Sequence, residues 1–79
     1  MKDQIKTYIA VEVLKDPSRI IDDDEAIISS GLIDSFSLVD LALFIEETFA
    51  VRVDDAELTA DVFDSVNELA LLIQQRQAG

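Results

Sequence analysis

A carboxylate and a hydroxyl stand side by side at Asp34 and Ser35, directly after Gly31 and two apolar residues. Gly31 can adopt the positive φ that ends a loop, and neither Gly nor Pro recurs before Gly79. The pair therefore falls where a helix should begin, and either side chain can cap its first N–H groups. A phosphate attached to the Ser35 hydroxyl would also be stabilised there, at the positive end of the helix dipole. Spacing alone leaves open whether Ser35 is a helix cap or a modification site.

The helix that follows Ser35 carries its apolar residues in two stripes instead of one. The first stripe is the usual core face: Leu38, Leu41, Ala42, Ile45 and Phe49. The second stripe is rotated away from the first: Phe36, Val39 and Leu43. Acids share its side of the helix: Asp40, Glu46 and Glu47. A small protein has little core to spare for both stripes, so we predict that the second stripe and its acids bind partner proteins.

Residues 31–41 resemble the prosthetic-group site of acyl and peptidyl carrier proteins, in which the serine of an Asp-Ser pair carries phosphopantetheine as a phosphodiester. The resemblance runs nearly end to end, and includes Phe49 at the close of the long helix and Phe63-Asp64-Ser65 before the last one. It implies a single carrier domain over residues 1–79, with Ser35 as the attachment point. Asp34 would help to present Ser35 and would contact the modifying enzyme.

The resemblance implies a carrier that is a substrate and not a catalyst. A separate phosphopantetheinyl transferase would load Ser35 from coenzyme A, and loading and processing enzymes with basic docking surfaces would then use the thioester-linked cargo. Acyl and aminoacyl cargoes both remain open. Phe36 replaces the usual Leu, and Ser37-Leu38 stands where housekeeping fatty-acid carriers are more polar. These departures favour a specialised pathway, such as secondary metabolism or an aminoacyl or D-alanyl carrier, over bulk fatty-acid synthesis.

Two other classes of function compete with the carrier. An unmodified acidic helical adaptor could bind a basic partner through the same apolar stripe, and would differ only in leaving Ser35 unmodified. A small acidic enzyme is a weaker candidate, with paired carboxylates such as Asp22 and Asp24 as its only apparatus. The chain has no Cys and no His, which excludes disulfides, thiolate nucleophiles, the common zinc ligands and the usual near-neutral base. We predict no catalytic residue.

We predict no metal site either. The acidic run 22–25 lacks the glycine and the distal bidentate Glu of a helix-loop-helix calcium site.

The net charge of −11 on 79 residues indicates the kind of partner. Nucleic acid is unfavourable, because its phosphates need positive charge, and a basic protein surface is the natural partner. No run of about 20 apolar residues is present, so neither a membrane span nor a signal peptide is expected and the cytoplasm is the default location. Met1 and the lack of Pro/Ser-rich flanks lead us to expect a freestanding protein. We also predict a monomer.

The rest of the chain predicts an all-α fold, a small helical bundle of three main helices plus one short helix. The first helix should span 3–15, capped by Asp3 and ended by Asp16-Pro17. A long connection at 17–33 should be pinned by its apolar residues: Ile20, Ile21, Ile27, Ile28, Leu32 and Ile33. The central helix should run from Ser35 to Phe49, with a short helical turn near 59–62.

The last helix is predicted from the capping-box pattern of Ser65 and Glu68, and should end near Arg76 with 77–79 frayed. The predicted core is Ile5, Ile9, Val13, Ile28, Leu41, Ile45, Phe49, Phe63, Leu69 and Ile73. Such a core in one small domain predicts a stability of about 5 kcal/mol.

Overall fold

The computed structural model describes residues 1–78 as three α-helices, and within that range there is no strand. Helix α1 (Lys2–Tyr8) continues directly into a π-helical segment (Ile9–Val13), α2 spans Ser35–Phe49, and α3 spans Val66–Ala78. One 3₁₀ turn (Asp55–Glu57) precedes α3. The predicted all-α class is confirmed. No helix in this part of the chain has both the length and the apolar character to cross a membrane.

The first helix differs from the prediction at both ends. It begins at Lys2 with no side-chain cap, so Asp3 lies in the first turn instead of capping it. At the other end the turn widens, because the Leu14 N–H donates to Ile9 O at 2.9 Å and the Asp16 N–H to Ala10 O at 2.8 Å. Lys15 then adopts a φ of 56°, a left-handed conformation that ends a helix. The helical segment therefore ends at Val13, two residues before the predicted end at Lys15.

The connection between α1 and α2 is pinned by isoleucines, as predicted, with one exception. Ile21, Ile27 and Ile33 are buried, and Ile28 and Leu32 pack against the core. Ile20 is 80% exposed, so its predicted role as a pin is wrong.

Polar contacts tie the same connection to the start of α3. The Asp64 carboxylate accepts the Ile28 and Ser29 N–H groups, both at 2.8 Å, and the Ser29 hydroxyl. Asn67 donates its N–H to Asp23 O at 3.0 Å and its amide to Asp24 at 2.6 Å. These contacts hold the loop that leads into α2.

The Asp64 contacts predict a pH-dependent stability. The pKa of Asp64 lies below its usual value, first because the Ser29 hydroxyl donates to it and then because backbone N–H groups do. A carboxyl whose pKa is lower in the folded state stabilises the fold above its unfolded pKa and loses that effect as the pH falls through the folded pKa. We expect Asp64→Asn to lower the free energy of unfolding at pH 7, with the deficit shrinking toward pH 3.

Urea titrations monitored by circular dichroism at several pH values measure this deficit. Asp61→Asn removes the same charge from an exposed position and serves as the matched control. A deficit for Asp64→Asn that stays constant from pH 7 to pH 3 would contradict the assignment.

The core agrees with the prediction except at its edge. The predicted members that are fully buried are Ile5, Ile9, Leu41, Ile45, Phe63, Leu69 and Ile73. Val13, Ile28 and Phe49 are only partly buried and pack around these residues. Phe63 has no exposed surface, which confirms its predicted place in the core.

The short helix lies earlier than predicted. It occupies Asp55–Glu57 with a capping box between Asp54 and Glu57, while residues 59–62 form only a turn. Contacts with a residue distant in sequence hold the short helix in this position. Arg76, in the last turn of α3, binds the Glu57 carboxylate and donates to Arg52 O at 2.7 Å. The same contacts hold the end of α3, which runs past Arg76 to Ala78. Of the predicted frayed residues, Gln77 and Ala78 are therefore helical, and Gly79 lies outside the described residues.

The capping box of α3 is present, but one of its two hydrogen bonds involves a different backbone N–H from the one expected. The Ser65 hydroxyl accepts the Glu68 N–H at 3.1 Å, as predicted. The Glu68 carboxylate accepts the N–H of Asp64 at 3.0 Å, one residue before the expected partner.

Candidate functional site

The junction between the long connection and α2 is built by three consecutive features. Gly31 adopts a φ of 79° and closes a turn in which its N–H donates to Ile28 O at 3.0 Å. Ile33, 2% exposed, anchors the chain in the core and donates its N–H to Ile27 O. Asp34 is extended, with φ −82° and ψ 174°, and Ser35 is the first residue of the helix. The exit of the loop is therefore fixed on both sides of Gly31.

Asp34 is the residue that caps α2. Its carboxylate accepts the Ser37 N–H at 2.8 Å, and its carbonyl oxygen accepts the Leu38 N–H at 3.0 Å. The Ser37 backbone N–H, and secondarily the Ser37 hydroxyl, hold the pKa of Asp34 below its usual value. The side chain is thus ionised near neutral pH and acts as an acceptor for the helix terminus. The choice that the sequence left open is settled in favour of Asp34 as the cap.

The Ser35 hydroxyl is exposed and is not used to cap the helix. Asp34 accepts the N–H groups of Ser37 and Leu38, so capping of α2 does not require this hydroxyl. A phosphate on this oxygen would lie at the positive end of a helix that spans Ser35–Phe49. The residues present therefore fit a phosphate-linked group at Ser35, with the helix start held rigid by Asp34 and Ile33.

The two stripes of α2 are separated as predicted. Leu38, Leu41, Ala42 and Ile45 are buried, and Phe49 is partly buried at the end of the helix. Phe36 is 86% exposed, Val39 45% and Leu43 52%. Asp40, Glu46 and Glu47 are exposed as well. The exposure of the second stripe is confirmed, and its role in partner binding stays a prediction.

A family model described as a phosphopantetheine attachment site matches residues 3–73, a range that includes Ser35. The chain belongs to this family. Members are defined by a covalently attached phosphopantetheine and act as carriers that do not themselves catalyse reactions. The protein is thus a phosphopantetheine carrier. No match was found among curated proteins.

The predicted docking residues of the carrier divide between the two flanks of α2. Val39, Leu43 and Glu46 line a groove of about 390 Å³ that faces the segment 52–55. Asp40 and Glu47 lie on the other flank, close enough to Tyr8 of α1 to raise the pKa of its hydroxyl, after the larger effect of burial. The sequence analysis treated these residues as one surface. In the structure one group faces the segment 52–55 and the other lies next to Tyr8 of α1.

Two aromatic residues of the second flank were missed by the sequence analysis. Tyr8 and Phe44 stack with their ring centroids 4.3 Å apart and their planes at 14°. The sequence analysis assigned Phe44 to neither stripe of α2. It treated Tyr8 only as one of the apolar residues that recur along α1. The only indication of this contact in the sequence is that Phe44, a large aromatic residue, belongs to neither apolar stripe of α2.

Helix α2 contains no basic residue. The basic side chains held in ion pairs are Lys2, Lys6, Arg19, Arg52 and Arg76. Within residues 1–78 no three metal-ligating side chains are grouped as a site for an ion. The exposed face of α2 is therefore both apolar and uniformly acidic.

Proposed function

We propose that Ser35 carries the phosphopantetheine, and that the protein presents acyl or aminoacyl thioesters on this arm to partner enzymes. The observation that carries the proposal is the exposed hydroxyl of Ser35 at the helix start, released from capping by Asp34. The family match over residues 3–73 supports attachment of phosphopantetheine to this chain, and the helix-start geometry is the ground for choosing Ser35.

In this proposal each residue of the junction has one task. Ser35 Oγ attacks the pantetheine-side phosphorus of the coenzyme A pyrophosphate, so the new phosphodiester forms as the P–O bond to 3′,5′-ADP breaks and 3′,5′-ADP leaves. The phosphopantetheinyl transferase supplies the metal ion and the base that takes the hydroxyl proton. Asp34 keeps the first turn of α2 formed while the transferase approaches. When bound, the group supplies a thiol whose thioester activates the acyl carbon yet persists in water.

The exposed face of α2 is proposed to dock partner enzymes. Phe36, Val39 and Leu43 would enter apolar pockets, since large exposed apolar side chains in one patch indicate an interaction surface. Asp40, Glu46 and Glu47 would pair with basic residues around those pockets. A shuttle must leave quickly, so we expect dissociation constants of about 1 μM, equivalent to about −8 kcal/mol. The cargo is proposed to belong to a specialised pathway in the cytoplasm.

The test is the intact mass of the protein after incubation with coenzyme A, magnesium and a broad-specificity phosphopantetheinyl transferase. A gain of one phosphopantetheine group is the expected result. A known carrier protein in the same reaction shows that the enzyme is active. No gain with several active transferases would reject the proposal and favour the unmodified acidic adaptor.

The docking role of α2 predicts the effect of Leu43→Glu. The side chain is half exposed, so the fold should remain intact, while the lost apolar contact and added charge should lower kcat/KM of the transferase about tenfold, or about 1.4 kcal/mol. Kinetics on the purified variant measure the effect, and a thermal melt checks the fold.

Leu71→Glu is the matched control, because Leu71 is 58% exposed on α3 and the charge change is the same. An equal loss of kcat/KM in both variants would point to net charge instead of docking. Collapse of the Leu43→Glu melt would place Leu43 in the core and contradict the two-stripe arrangement.

A further inference from the structure

An apolar groove of about 440 Å³ lies between α1 and α2, on the flank of α2 away from Val39. Its floor is formed by Tyr8, Val11 and Phe44. The Tyr8 ring stacks on Phe44, and Phe44 meets Phe49 edge to face with centroids 6.1 Å apart. Tyr8 and Phe44 are half-buried and Val11 is 38% exposed, so the floor is held by the fold and still open to solvent. Such a preformed aromatic floor is suited to an apolar anchor.

Acidic side chains surround this groove. Asp3 and Glu12 line it directly. Asp40 and Glu47 act on the Tyr8 hydroxyl electrostatically together with Glu12. The lysines of α1 do not compensate, because Lys2 and Lys6 are both paired with Asp23 in the connection to α2. No basic side chain lines the groove in the described residues, so its rim has a single sign of charge.

We propose that this groove binds a basic amphipathic helix of a partner protein, with an apolar anchor on Tyr8 and Phe44 and Lys or Arg side chains on the acidic rim. A groove between two helices that combines an apolar floor with charged edges suits the helix-in-groove mode of recognition. A second copy of this chain would bring a further charge of −11 and is repelled, and anionic lipids or nucleic acids are repelled for the same reason.

The apolar floor of the groove is separate from the apolar docking stripe of Phe36, Val39 and Leu43, while Asp40 and Glu47 are acids shared by both surfaces. The proposal does not depend on modification of Ser35. Five residues at 3.6 per turn rotate the helix by about 140°, so Val39 and Phe44 lie on opposite flanks of α2. A helix bound beside Phe44 leaves the flank of Val39 open. The carrier can therefore stay tethered to one protein through the groove while an enzyme engages the flank that carries Val39, Leu43 and Glu46.

The proposal is tested with a synthetic peptide on the unmodified protein. The peptide is helical, with Trp and Leu at positions i, i+4 and i+7 and Lys or Arg on both sides of that stripe. In ¹⁵N NMR titrations we expect the largest shift changes at Thr7, Tyr8, Val11 and Phe44. A second peptide with the same charges and Ser at the apolar positions should bind at least tenfold more weakly.

Charge reversal on each flank of α2 provides the matched pair of variants. Glu12→Lys alters the groove and Glu46→Lys alters the opposite flank, and both exposed residues undergo the same charge change. We expect Glu12→Lys to weaken the peptide about tenfold and Glu46→Lys to have a clearly smaller effect. Equal weakening by both, equal binding of the two peptides, shifts centred on Val39 and Leu43, or no saturable binding would each overturn the proposal.

Discussion

Ser35→Ala is expected to abolish the gain of phosphopantetheine completely, because the substitution removes the only atom through which the phosphodiester can form at this position. The fold should be unaffected. Asp34, and not Ser35, accepts the Ser37 N–H and caps α2, so the free energy of unfolding should change by no more than about 0.5 kcal/mol. The variant therefore separates loss of the attachment site from loss of structure.

Intact mass spectrometry and a urea titration on the same sample measure both properties. Ser37→Ala is the matched control, since it removes a hydroxyl two residues further along α2 and should still be modified. A mass gain in Ser35→Ala would place the group on another residue and would reject Ser35 as the attachment site. Loss of the gain in both variants would indicate damage to the transferase recognition surface.

Phe63→Ala is expected to have the largest effect on stability. Phe63 is completely buried in the core, and truncation of a buried Phe to Ala costs about 3–5 kcal/mol. A domain of 79 residues has a total stability of about 5 kcal/mol. About 0–2 kcal/mol should then remain, so we expect between a few per cent and half of the Phe63→Ala protein to be unfolded at room temperature.

Phe36→Ala makes the same chemical change at a position that is 86% exposed, and should alter the free energy of unfolding by no more than about 0.5 kcal/mol. Urea titrations followed by far-ultraviolet circular dichroism compare the two variants. Similar losses in both would mean that Phe36 also packs in the core, against the exposed position of the second stripe.

The sequence by itself determined the features that rest on local patterns. The α2 boundaries, its two stripes and the start of α3 follow from helical periodicity and from capping residues close in the chain. Burial of Phe63 was predicted because Phe is among the residues most often buried, and because the family resemblance includes Phe63-Asp64-Ser65 before the last helix. The Asp34-Ser35 junction was located for the same reason, since a turn, an anchor and a helix start are consecutive there.

Only the tertiary structure decided the features that depend on residues distant in sequence. Asp34 and Ser35 are both good caps, and the observed geometry selected Asp34. The short helix lies at Asp55–Glu57, where Arg76 of α3 binds Glu57, and Ile20 is exposed although its pattern matches the buried isoleucines around it. The groove of Tyr8 and Phe44 exists only because α1 and α2 pack side by side. Periodicity assigns a residue to a face of its own helix, but packing decides which other element that face meets.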